Sequence, residues 1–152
     1  MTQHEQKARQ LFVEGYNCSQ AVFAAFCDVT GMSESQALKL SSSFGGGMGR
    51  MREVCGACTG MFAVAGLLWG YESPEDDNAK KEHYALIQKL AEKFKETHGG
   101  TIVCRELLKG IAAGTTPMPT KRDSEFYKVR PCVAFVETAA RLLDEEIKSR
   151  EK

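Results

Sequence analysis

The sequence predicts an all-α fold, a single compact domain of about six or seven helices with a glycine-rich loop before a central buried helix. Three observations carry that reading. Apolar residues recur at spacings of three and four along most of the chain, no segment alternates with period two, and capping patterns recur between the apolar runs. The 152 residues suffice for one hydrophobic core. No repeat, linker or compositional break divides residues 1–152, so one domain is expected.

Ala8, Leu11 and Phe12 mark a first helix that ends near Gly15. Asn17 can cap a second, with Gln20 returning the bond. Cys18, Ala21, Val22, Ala25 and Val29 would share its face, and Gly31 would stop it. Ser33 and Gln36 repeat the capping pattern for a third helix through Leu40. The glycine loop Phe44-Gly45-Gly46-Gly47-Met48-Gly49-Arg50 then leads into a fourth helix, from about Arg52 to Trp69. Ser73-Pro74-Glu75-Asp76 reads as the start of a fifth, striped by His83, Leu86, Ile87, Leu90 and Phe94 and ended by Gly99-Gly100. Thr101 is expected to cap a short helix carrying Cys104. Residues 110–123 read as an irregular loop, and Pro131 opens a last helix with Cys132, Phe135, Val136, Ala139, Leu143 and Ile147 on one face.

Charge excludes several functions. Lys plus Arg and Asp plus Glu balance at 20 each, so no net field draws the chain to nucleic acid or anionic lipid, and no dense basic run appears. The uncharged stretch from Val54 to Tyr71 is shorter than the ~20 residues of a spanning helix and is broken by glycines. No signal-peptide core or twin-arginine pair opens the chain. A cytoplasmic protein is therefore expected, without a membrane or nucleic-acid partner.

Six cysteines stand out: Cys18, Cys27, Cys55, Cys58, Cys104 and Cys132. Without export, redox chemistry or metal binding is favoured over a disulfide framework. Cys18, Cys55, Cys104 and Cys132 each fall at or near an expected helix start, where free N–H groups and the helix dipole favour thiolate. Thiolate is the form that attacks disulfides and the form that ligates metal. Cys55 is expected to be the most acidic, with Arg50 and Arg52 close in sequence. Cys27, nine residues after Cys18, would point away and pack in the core. Cys55-Gly56-Ala57-Cys58 is a CxxC pair, open to dithiol or metal chemistry, although the strand of a thioredoxin-like unit is missing.

Asn17-Cys18-Ser19-Gln20, the glycine loop ending in Gly49-Arg50, Cys55-Gly56-Ala57-Cys58-Thr59-Gly60, and then single cysteines at Cys104 and Cys132 occur in that order. This combination closely resembles the redox-active C-GCAxxG-C-C family, over nearly the whole chain. The resemblance implies four signature cysteines, here Cys18, Cys55, Cys104 and Cys132, together with redox activity and a prosthetic group such as an iron–sulfur cluster. Cys58 occupies a variable position of the motif.

Three readings of the cysteines follow. The leading one is electron transfer or redox sensing through an iron–sulfur cluster held by Cys18, Cys55, Cys104 and Cys132, since four thiolates suffice for a cluster. The second is an oxidoreductase without a cofactor, using Cys55 with Cys58 or another signature cysteine as a dithiol. The third is a structural zinc site, disfavoured because only one CxxC pair exists. Gly46, Gly47, Gly49 and Arg50 would border the site, and the loop's N–H groups could donate to cluster sulfurs. It lacks the GxGxxG spacing and the Gly-Lys-Ser/Thr of a phosphate loop. The natural partner would be a redox protein, and a homodimer is compatible with the sequence. His4 is expected in a mobile terminus, His83 in the core stripe, and His98 near a helix C-terminus that favours a cation.

Overall fold

In the computed structural model, which describes residues 1–111 and 113–151, 65% of the chain is helical, and the described residues contain no strand. Nine α-helices follow in order among them: α1 (Gln3–Val13), α2 (Cys18–Ala24), α3 (Cys27–Thr30), α4 (Glu34–Ser41), α5 (Gly56–Trp69), α6 (Asp77–Thr97), α7 (Cys104–Leu107), α8 (Ser124–Val129) and α9 (Cys132–Arg150). One 3-10 turn, Ser42–Phe44, follows α4. The count exceeds expectation because short helices fall in segments without a long apolar stripe.

The expected caps hold at α2, where Asn17 and Gln20 close a capping box, and at α4, capped by Ser33. Thr2 and Glu5 close another at α1. Four boundaries differ from expectation. The helix expected through Val29 breaks at Ala25–Phe26, because Phe26 turns fully into the core. Its remainder is α3, which Gly31 ends in the left-handed conformation. α5 begins at Gly56 rather than Arg52, since residues 52–55 pair instead with residues 102–105. There Cys55 N–H donates to Ile102 (2.7 Å), Cys104 N–H to Glu53 (2.5 Å) and Arg105 N–H to Arg52 (3.2 Å). α6 is capped by Asp76, not Ser73, and Val103 rather than Thr101 precedes α7.

α5 is the central helix, with Ala57, Cys58, Met61, Val64 and Ala65 fully buried. α2 lies close along it through small residues. A Cβ at Gly60 would sit 2.8 Å from the Ser19 carbonyl oxygen, and one at Gly56 would sit 3.2 Å from Cys18 Cβ. α1 packs on α9, and α6 adds Leu86, Leu90 and Phe94. Each such fully buried side chain contributes about 1.5–3 kcal/mol. The first turns of α2, α5 and α9 are thereby gathered at one end of the domain, where the 102–105 pairing also brings α7.

His4 does not occupy a mobile terminus. It stacks on Phe26 at 4.1 Å, with Nδ1 2.7 Å from Asp144 and Nε2 2.9 Å from Asp28, tying α1 to α9 and α3. Burial lowers its pKa, but the hydrogen bonds and charges of Asp28 and Asp144 outweigh burial, and the net direction is upward. A raised histidine pKa gives stability that is complete below the unfolded value of ~6.5 and is lost as pH rises through the folded value. The melting temperature of the wild type relative to that of His4→Gln should therefore decline between pH 6 and 8. Parallel pH profiles of the two would refute it. His98 also departs from expectation: burial, with Arg141 nearby, lowers its pKa, and it packs neutral on Phe94 and Phe135 with Thr138 at 2.8 Å.

Candidate redox site

The gathered helix starts surround a cavity of about 500 Å³, and Cys18, Cys55, Cys104 and Cys132 all lie on its wall. Each stands at a helix start. Cys18, Cys104 and Cys132 are the first residues of α2, α7 and α9, and Cys55 is the N-cap of α5. Convergence follows from two local devices. The capping box fixes Cys18 beside the α2–α5 contact, and the pairing of residues 52–55 with 102–105 carries Cys104 to Cys55.

Helix-start placement does not by itself make these thiols acidic. Cys132 is brought down to about 7, first by a hydrogen bond from the Cys18 thiol and then by Arg130, Arg122 and Arg52, against burial. Its partner Cys18 is pushed well above the ordinary thiol value, by that shared hydrogen bond and by burial. Cys55 is lowered by a hydrogen bond from Cys58, against burial and with help from the Ala57 and Cys58 N–H groups. Burial raises Cys104 although Arg52 Nη1 lies 3.8 Å from its sulfur. Two pairs of unequal acidity result, Cys132 lowered against Cys18 raised and Cys55 lowered against Cys58 raised. Only the first pair has both sulfur residues on the cavity wall, because Cys58 is fully buried behind Cys55.

Cys27, half-buried on α3, is not on that wall, and burial raises its pKa. Gly46, Gly47, Gly49 and Arg50 do border the cavity. Residues 46–50 run continuously at positive φ, from 57° to 73°, as a left-handed turn. Met48, Arg50 and Arg52 adopt this conformation without being glycine, at about 1–2 kcal/mol each. Strain of this kind persists where the surroundings enforce it, commonly at functional sites. Arg50 is not directed at Cys55. Its Nε and Nη1 donate to the Thr116 carbonyl and the Thr120 hydroxyl, both at 2.7 Å, holding the 113–123 segment against the cavity.

Sequence reasoning missed Arg122 and Arg130 and misplaced Arg52. Arg52 is buried, its Nε donating to the Gly114 carbonyl (3.1 Å) and its Nη1 facing Cys104. Arg122 lies over the Phe12 ring at 4.3 Å and donates to the Phe12 and Tyr16 carbonyls. Arg130 lies over Phe126. Among the described residues, no three His, Cys, Asp or Glu side chains are arranged to hold a metal ion. No helix among them is long and apolar enough to cross a membrane.

Comparison with curated proteins and with solved structures finds no match. The family model described as "Putative redox-active protein (C_GCAxxG_C_C)" matches residues 16–146. That stretch contains all four signature cysteines and the whole cavity wall except Phe12 and Gly15. The chain belongs to the C_GCAxxG_C_C family.

Proposed function

We propose that the chain is a thiol-based oxidoreductase in which Cys132 and Cys18 form the working dithiol. One observation carries this reading: Cys18 and Cys132, the first residues of α2 and α9, both border the cavity, and each is the largest influence on the other's ionisation, lowering Cys132 and raising Cys18. The Cys132 thiolate attacks one sulfur of an incoming disulfide, forming a mixed disulfide and expelling the other sulfur as a thiolate. Cys18 then gives up its proton and attacks the Cys132 sulfur. The second partner thiolate leaves, and a Cys18–Cys132 disulfide remains. Two electrons have passed to the substrate disulfide, and a dithiol reductant must return them. Cys55 supplies a second thiol on the wall, its pKa lowered chiefly by Cys58.

An iron–sulfur cluster is the second reading, favoured by the fact that all four signature cysteines border one cavity. The donor set fits. Cys18, Cys55, Cys104 and Cys132 match the ligand number of a cluster, and four arginines on the wall would offset its negative charge. Bound there, such a group would supply one-electron transfer.

The test uses protein purified without oxygen. On the dithiol reading it is colourless and free of iron. Oxidised glutathione then yields a Cys18–Cys132 disulfide by peptide mapping, and Cys132→Ser abolishes it. Closing a loop on the order of 100 residues should also raise stability by up to ~4–5 kcal/mol. Six free thiols after oxidation would overturn the dithiol. Stoichiometric iron and acid-labile sulfide, lost on substituting any of the four cysteines, would put the cluster in its place.

A further inference from the structure

The cavity wall carries Arg50, Arg52, Arg122 and Arg130 and, among the described residues, no aspartate or glutamate. That is unusual in a chain whose charges balance at 20 each. Arg52 is 94% buried, and its Nη2 has no hydrogen-bond partner. Its Nη1 faces Cys104, whose thiol burial keeps neutral. Arg122 is satisfied by carbonyl oxygens and stacked on aromatic rings, with no carboxylate in contact. The charges crowd one another, since burial and then Arg52 and Arg130 push the Arg50 guanidinium down. Gly46, Gly47 and Gly49 also border this space, and their N–H groups donate no hydrogen bond among the described residues.

A buried guanidinium without a counter-charge is costly, and an unmade hydrogen bond adds to that cost. A planar fork of donors is satisfied best by an oxyanion that takes two bonds at once. A left-handed run of backbone N–H groups is also suited to anions. We propose that this cavity is a binding site for a small oxyanion, held among Arg52, Arg122, Arg130 and the glycine loop that line it. The ligand class is a compact tetrahedral or planar oxyanion, with sulfate and phosphate as unreactive probes. The acid-free lining of four arginines and the unpartnered glycine N–H groups carries the site, and neither thiol exchange nor a cluster is required for it.

The test uses reduced, metal-free full-length protein at constant ionic strength, with sulfate or phosphate replacing chloride. The expected result is a saturable rise in melting temperature and slowed alkylation of Cys104 and Cys132 by iodoacetamide. Arg52→Gln should weaken binding at least tenfold, while Arg9→Gln, on the α1 surface, should leave it unchanged. If Arg52→Gln fails to fold, Arg52→Lys and the alkylation protection in the wild type decide. Equal effects of chloride and sulfate, or sulfate binding that Arg52→Gln leaves intact, would overturn the site. Because the thiols stay reduced and metal is absent, either result leaves the dithiol test untouched.

Discussion

Alkylation of the reduced, metal-free protein across a pH series is expected to show Cys132 ionising with a midpoint near 7, well below the ~8.5 of an unperturbed thiol. The hydrogen bond from Cys18 is the largest cause, with Arg130, Arg122 and Arg52 adding to it and burial opposing. At pH 7 about half of Cys132 is then thiolate, against about 3% of an ordinary cysteine. A lower pKa also makes a weaker nucleophile, with a Brønsted slope of about 0.4–0.5. The net rate advantage shrinks to about threefold, so the midpoint rather than the absolute rate is the decisive readout. A hydrogen bond to a charged group is worth about 1.5–3 kcal/mol, so Cys18→Ala should raise the Cys132 midpoint by about 1–2 pH units. Cys18→Ser, which keeps a donor, should raise it less. Linkage gives a second signature. A depressed pKa contributes stability above the unfolded value that is lost as pH falls through the folded one, so Cys132 loses its contribution from about pH 8.5 down to 7. Cys18, Cys58 and Cys104 are raised, and their contribution is lost as pH climbs past ~8.5. Urea midpoints should therefore peak near pH 8–9. A Cys132 midpoint at or above 8.5, indifferent to Cys18→Ala, would remove the acidic pair from the mechanism.

The helical class and the placement of the signature cysteines at helix starts were legible because capping is local. Asn17 with Gln20 announces α2, and Pro131 announces α9, from residues within one turn. The break at Phe26 was not legible, since neither glycine nor proline marks it. It depends on a ring finding its place beneath His4, contributed by another helix. The start of α5 was hidden for the same kind of reason: the partner that draws residues 52–55 out of helix is the segment at 102–105. At the site, sequence distance was the obstacle. Cys18 and Cys132 pair across most of the chain, and no spacing rule links them. Arg52, Arg122 and Arg130 are scattered as ordinary surface-type residues within a balanced composition, so only their convergence on one wall reveals a cationic cavity. Helix-start logic was also incomplete. It placed four thiols at helix starts but overlooked burial, which wins at Cys104, adds to the Cys132 interaction at Cys18, and loses at Cys55 and Cys132, where a neighbouring thiol donates.

Gly47→Ala should be among the most damaging single-atom additions to this chain. At φ +73° any side chain is disfavoured, and the added Cβ would stand 2.6 Å from Cys104 Cβ, 2.7 Å from Arg52 Cα and 2.7 Å from Glu53 N. Two of those three neighbours are backbone, and the backbone is pinned. Glu53 N–H donates to Gly47 itself at 2.8 Å, and residues 52–55 are held by the pairing that positions Cys55 and Cys104. Relief must therefore come from moving the glycine turn, Cys104 or both. Overpacking costs about 1–3 kcal/mol and the left-handed conformation about 1–2 more, so a loss of about 2–5 kcal/mol is expected. For a domain of this length that corresponds to a melting temperature lower by about 10 °C. Gly99→Ala is the matched comparison. Its φ of +80° carries the same backbone cost, but nothing lies within 4 Å of its added Cβ, so it should lower the melting temperature by only about 3–5 °C. The difference between the two isolates the contact with Cys104 and Arg52 from backbone strain. The displaced Cys104 in Gly47→Ala should also alkylate faster than in Gly99→Ala. Equal melting temperatures and equal Cys104 reactivity in the two variants would mean that the glycine turn does not brace the cysteine wall.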